Sequence, residues 1–171
     1  TMLAAAAARR IAAEGAPCQL TAIDPEPRTA LVAAHARLER RPATEMPLAR
    51  FLELEPGDLL FIDSSHTVKR GSDVNYLVLE VLPRLAAGIV VHFHDIFLPL
   101  DYPRAWFARG TFLAEQYLVH AFLLGNRDWE IRCAARALAE RNPDRLRPWL
   151  AVHEPGSAGP SSLWLRRKKD V

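Results

Sequence analysis

The chain has 171 residues, half of them hydrophobic and a quarter charged, enough for one domain with a real core and outside the range of disordered chains. Its 22 Lys and Arg against 20 Asp and Glu leave a net charge of +2; Arg166, Arg167, Lys168 and Lys169 gather basic charge in one short tail, which reads as a solvated end, and a fold-wide basic surface for nucleic acid is excluded. Cys18 and Cys133 are the two cysteines, too few for a disulfide framework or a zinc ribbon and suited to a reducing, cytoplasmic setting.

The apolar opening Met2 to Ala8 is followed by Arg9 and Arg10 and is too short to cross a bilayer, and Arg84, His92 and His94 interrupt the best later candidate. It reads instead as the interior of a helix that Gly15 and Pro17 stop. Gln19 to Ile23 is β-prone and closes at Asp24-Pro25, so a strand is expected to end at Asp24. Pro27 to Leu38 reads as a helix, with Leu31, Ala34 and Leu38 on one face. A polar, proline-broken segment follows through Pro47, with room for a weak edge strand.

Phe51 to Leu54 is expected as a short helix and Pro56-Gly57-Asp58 as a turn. Leu59 to Ile62 is a continuous apolar run of the kind a buried parallel strand shows, and it ends at Asp63. Ser72 is a good N-cap for a helix carrying Val74, Leu77, Val78, Val81, Leu82 and Leu85, in which Pro83 must kink or tighten the last turns. After Gly88 a second buried strand starts at Ile89 and ends at His94-Asp95. Phe97 to Trp106 reads as an ordered aromatic loop, Thr111 to Leu124 as a helix ended by Gly125-Asn126, and Trp129 to Cys133 as a strand. Residues 134 to 150 look helical with a break at Asn142-Pro143. Turn chemistry follows from Glu154 to Ser162, and Leu163 to Leu165 is a last strand able to pair antiparallel with Trp129 to Cys133.

This alternation predicts a single α/β domain over residues 1–171 with an open, mostly parallel sheet, whose ligands bind beyond the carboxyl ends of the strands. Asp24, Asp63 and Asp95 all fall at such ends, and His66 and His94 lie within three residues of the last two. Asp24 could accept both hydroxyls of a ribose, because a carboxylate matches two vicinal donors; a turn or capping aspartate is the equal alternative. Asp63 with His66, and His94 with Asp95, offer oxygen and nitrogen donors for a hard divalent cation and an imidazole that could remove a proton. Helix caps and satisfied core histidines are the bland alternative, favoured on the residues alone. His92 shares a strand face with His94 but lies deeper, and reads as a core residue. Tyr102, Trp106 and Phe107 read as an aromatic loop packed on its own sheet rather than as a lid.

Four runs together are similar to the bacterial class I S-adenosylmethionine-dependent methyltransferases, in the branch of metal-dependent sugar O-methyltransferases. They are Leu60-Phe61-Ile62-Asp63-Ser64-Ser65-His66, Gly71 to Leu77, Val91 to Pro99 and Glu115-Gln116-Tyr117-Leu118; Ala22 to Pro27 and Ser162 to Leu165 extend the likeness over nearly the whole chain. The resemblance implies a doubly wound, Rossmann-like sheet with an antiparallel C-terminal strand. It implies that Asp24 and Asp63 bind S-adenosylmethionine, that Asp63, His94 and Asp95 surround a magnesium ion, and that His66 is the base for a small-molecule or sugar hydroxyl. His94 stands where related enzymes carry an acidic or amide ligand. The family's first strand and glycine-rich turn are missing ahead of Thr1, which would leave two unpaired edges between the strands ending at Asp24 and Asp63.

The expected function is therefore O-methylation of a small molecule, with no nucleic acid or membrane partner and room for a homo-oligomer. Two alternatives stand beside it: a non-catalytic binding or oligomerisation module that keeps the fold, and a metal-assisted hydrolase built on Asp63, His66, His94 and Asp95.

Overall fold

A computed structural model describes residues 2–16, 18–27, 36–145 and 159–168 of the chain. It divides into two compact units, Thr1–Pro47 and Leu48–Val171. The first opens with helix α1 (Met2–Ala13). Gly15, at φ 90°, closes it, and the backbone N–H of Ala16 reaches back to Ile11 at 3.2 Å, as expected when a glycine takes the left-handed position after a helix. Strand β1 (Thr21–Ile23) then pairs in parallel with β2 (Arg37–Glu39). The helix expected over Pro27 to Leu38 is corrected at both ends, since Pro27 and Ala36 are not helical and Arg37 and Leu38 belong to β2; residues 28–35 lie outside the described residues.

The second unit begins with a short helix α2 (Leu48–Phe51), three residues ahead of the expected one, because Pro47 supplies the start. Strand β3 (Leu59–Ile62) follows the turn at Pro56-Gly57. Gly88 sits against that turn at φ 90°, and a Cβ there would come within 2.9 Å of Pro56 Cβ, so only glycine lets the two loops touch.

Ser72 caps the next helical segment, its Oγ accepting the N–H of Asn75 at 3.2 Å. The segment starts as helix α3 (Asp73–Asn75), widens to a π turn over Tyr76–Val81 and tightens to a 3-10 turn over Leu82–Arg84. Pro83 explains both changes: it has no N–H for the carbonyl four residues back, so Leu82 donates five back, to Leu77, and the last turn closes three back instead. All six apolar positions read from the sequence are buried, from Val74 to Leu85, each contributing about 1.5–3 kcal/mol by leaving water.

Strand β4 (Val90–His94) pairs in parallel with β3 across this crossover. Helix α4 (Arg104–Ala108) takes in Trp106 at the end of the aromatic loop. Helix α5 (Glu115–Leu123) leads to β5 (Trp129–Ala134), helix α6 (Ala135–Arg141) and the final strand β6 (Ser162–Arg167). The sheet order is β3-β4-β6-β5. Strand β6 is antiparallel to both neighbours, so β3, β4 and β5 point one way and the last strand alone is reversed. The fold is mixed α/β, as expected.

Two expectations change in this sheet. Strand β3 is not buried on both faces: Ile62 is 3 % exposed, but Leu59 and Phe61, which alternate onto the other face, are 48 % and 47 % exposed. The basic tail is not simply solvated. Arg166 pairs with Glu130 at 2.5 Å, and Arg167 donates to the carbonyls of Leu82 and Pro83, satisfying the last carbonyls of the helical segment. Among the described residues no helix is long and apolar enough to cross a membrane.

Candidate active site

Strands β3 and β4 are parallel, with Ile62 opposite Phe93, so Asp63, after β3, and the His94-Asp95 pair at the end of β4 emerge at the same sheet end. The loop after β3 carries His66 back to them. Its Nε2 lies 3.5 Å from Asp63 Oδ1 and 3.9 Å from Asp95 Oδ2. His94 Nδ1 lies 3.3 Å from Asp95 Oδ1 and 3.8 Å from Asp63 Oδ1. These four residues are brought together as the sequence predicts.

The loop is held by its own polar side chains. Asp73 accepts from the backbone N–H and the hydroxyl of Ser65, and Ser64 Oγ accepts the N–H of His66 at 2.9 Å. His66 and Asp95 both sit at φ 54°, a left-handed conformation uncommon for residues other than glycine and recurrent at functional sites. Both are held there: the His66 carbonyl accepts the N–H groups of Ala114 and Glu115 at 2.9 and 3.2 Å, and Ser161 Oγ donates to Asp95 Oδ1 at 2.9 Å. Those bonds from Ala114 and Glu115 also explain why α5 starts at Glu115 rather than at the expected Thr111, since its first N–H groups are turned onto the loop.

The opposite nitrogen of the ring has a partner that sequence reading did not assign. Glu115, 0 % exposed, places Oε2 2.7 Å from His66 Nδ1 and accepts the Ser64 hydroxyl on Oε1 at 2.9 Å. A signal was available: Glu115 shares a helix face with Val119 and Phe122, and a charged residue on an apolar stripe calls for a buried partner.

Electrostatics follow from this company. Burial works against the charged imidazolium of His66, but the hydrogen bonds to Asp63 and Glu115 and the nearby Asp95 carboxylate outweigh it and raise its pKa to about 10. The imidazole expected to be neutral is therefore protonated at neutral pH. The hydrogen bond to His66 holds Asp63 below the usual carboxylate range. Burial pushes Asp95 up, and the bonds to His94 and Ser161 overcome it. Asp95 in turn raises the pKa of His94.

The donor set does not fit the magnesium ion implied for Asp63, His94 and Asp95. Among the described residues no group of three His, Cys, Asp or Glu side chains is arranged to hold a metal ion, and the charge the carboxylates need comes from His66, whose Nε2 lies near both. Asp24 belongs to the Thr1–Pro47 unit. It follows β1, its N–H donates to the Glu39 carbonyl at 3.1 Å and its Oδ1 accepts the N–H of Glu26 at 2.9 Å, an Asx-turn contact. His92, expected as a core residue, is half-buried on the strand face opposite Val91 and Phe93, stacked on Trp164 with ring centroids 4.3 Å apart. Tyr102 is buried against Phe97 and Trp106, so the aromatic loop packs inward, with Phe107 exposed.

A family model described as a methyltransferase domain matches residues 1–96, more than half of the chain. The chain belongs to this methyltransferase family. Comparison with curated proteins and with solved structures returned no match. In this methyltransferase the matched segment takes in Asp24, Asp63, His66, His94 and Asp95, and the resemblance read from the sequence is borne out at the level of the family. Glu115 lies beyond the matched residues.

Proposed function

We propose that this methyltransferase transfers a methyl group from S-adenosylmethionine to a hydroxyl oxygen of a small molecule such as a sugar, with His66 as the proton acceptor. The observation that carries the reading is the position of His66 Nε2, within 3.9 Å of both Asp63 and Asp95 at the ends of two parallel strands. The parallel pairing of β3 and β4 across a helical crossover and the reversed β6 support a Rossmann-like, doubly wound fold, in which ligands lie beyond such strand ends.

Bound S-adenosylmethionine supplies an electrophilic methyl on a positively charged sulfur. With that group bound, Nε2 of His66 would take the hydroxyl proton as the acceptor oxygen gained the methyl group, the carbon–sulfur electron pair remaining on sulfur. The carboxylates of Asp63 and Asp95 make the rim favourable to positive charge, and Asp24 is the ribose ligand. With a pKa of about 10, His66 has only about one molecule in 1,000 neutral at pH 7, so turnover rises with pH until the imidazole is deprotonated.

The test is calorimetry and transfer of a labelled methyl group in the full-length protein with a panel of sugar and other small hydroxyl acceptors. S-adenosylmethionine is expected to bind, Asp24→Ala to weaken binding at least tenfold, and His66→Ala to lower turnover by about 10²–10⁴-fold while still binding the cofactor. Absence of cofactor binding in the wild type would sink the proposal. The high pKa of His66 also favours a second reading, a non-catalytic module in which the imidazolium is an ion-pair partner; cofactor binding without methylation of any acceptor supports that one.

A further inference from the structure

The reading of His66 as proton acceptor concerns one nitrogen of its ring, and the following inference rests on it. We propose that Glu115 is a positioning residue, which fixes the His66 imidazole with Nδ1 turned inward and Nε2 presented to Asp63 and Asp95. The geometry is a closed loop of contacts within and between two segments, Ser64 to His66 and Ala114 to Glu115, that lie 48 to 51 positions apart where they meet. Glu115 Oε2 stands 2.7 Å from Nδ1, Glu115 Oε1 accepts the Ser64 hydroxyl, and Ser64 Oγ accepts the N–H of His66. The His66 carbonyl receives the backbone N–H groups of Ala114 and Glu115. Side chain and main chain are thus tied between the same two segments, and a flip of the ring would break the bond from Nδ1 to a carboxylate with no exposure to water.

The residue type is informative. Removing a carboxylate from water costs several kcal/mol, and an apolar side chain of similar volume would fill the space without that cost. What the carboxylate adds is a fixed acceptor for Nδ1–H. It selects the tautomer whose free lone pair, once Nε2 loses its proton, points at the mouth, and it stabilises the imidazolium formed when a proton arrives.

Nitrogen-15 NMR of the histidine rings tests this without any turnover. In the wild type the Nδ1 proton of His66 is expected to be protected from solvent exchange, with its signal at low field; a rapidly exchanging Nδ1 proton overturns the proposal even if no variant folds. Glu115→Gln, which keeps shape and removes charge, is expected to move the His66 nitrogen shifts and to lower kcat about 10- to 100-fold, with KM for S-adenosylmethionine within twofold. Ser64→Ala is expected to give a smaller change of the same kind, and Glu115→Asp partial recovery relative to Glu115→Ala. Wild-type ring shifts and wild-type kcat in Glu115→Gln would refute the assignment. A wild-type protein that turns over no acceptor removes the proposed function, and the exchange measurement still decides the placement of the ring.

Discussion

His66 lies on the loop after β3 and His92 within the adjacent strand β4, and both are half-buried, yet they titrate in opposite directions. His66 meets Glu115 on one nitrogen and Asp63 and Asp95 on the other, and its pKa rises to about 10. His92 lies between the edge of Phe61 at 4.6 Å and the face of Trp164 at 4.3 Å. Its Nε2 is buried without a hydrogen-bond partner, and burial, with the positive neighbour His94, pulls its pKa down to about 4. Burial does not separate the two rings. Their partners do: carboxylates turn one imidazole into a resident cation, and aromatic rings keep the other neutral. The sheet therefore keeps a charged, strained mouth at its carboxyl end and a neutral aromatic stack behind it.

The largest way to break this contrast is to take the anions from His66. Glu115→Leu is expected to drop the His66 pKa by at least two units in an NMR titration and to lower stability in urea by about 3 kcal/mol at pH 7, because a partner of a buried charge is lost. The same pairing sets the alkaline limb of stability. The folded pKa of about 10 lies above the unfolded value near 6.5, so the contribution of His66 is complete below that unfolded value and is lost as pH rises through about 10. The unfolding free energy measured from pH 6 to pH 10 should fall more steeply in the wild type than in His66→Asn, by a difference on the order of 3 kcal/mol across the range. Parallel curves for the two proteins would mean that the carboxylates do not hold the ring.

How much of this contrast could be read from the amino-acid sequence depends on the range of the interaction. The strand ends at Asp63 and Asp95 and the Ser72 cap follow from local apolar runs and turn chemistry, and the structure keeps all three. So does the burial of the six apolar positions Val74, Leu77, Val78, Val81, Leu82 and Leu85, although the π turn ahead of Pro83 does not follow from a periodic pattern. Glu115 was legible as part of a motif but not as the partner of His66, because the pairing spans 49 residues and depends on α5 starting where the His66 carbonyl captures its first N–H groups. Likewise the left-handed backbone at His66 and Asp95 carries no glycine to announce it. The arginines of the tail read as solvated because their acceptors, the Leu82 and Pro83 carbonyls and Glu130, come from elements far away in the chain.

A smaller effect sharpens the other side of the comparison. If His92 is an aromatic packing residue that happens to carry two nitrogens, then its unpartnered Nε2 is a cost, and a ring without it should fit at least as well between Phe61 and Trp164. His92→Phe is expected to gain about 1 kcal/mol at pH 7, the penalty for one unsatisfied buried group, seen as a rise of roughly 2–4 °C in Tm. The sign of the pH dependence gives an independent check. A folded pKa of about 4 below an unfolded value near 6.5 means that His92 contributes stability above that unfolded value and withdraws it as pH falls toward 4, since only the unfolded chain takes up the proton in that interval. His92→Phe should therefore flatten the loss of stability between pH 6.5 and 4 and leave the alkaline limb, which belongs to His66, unchanged. A variant that loses stability at pH 7, or that alters the alkaline limb, would show the two rings to be coupled through His94, whose ring centroid is 6.4 Å from that of His92 and whose Nδ1 reaches Asp95.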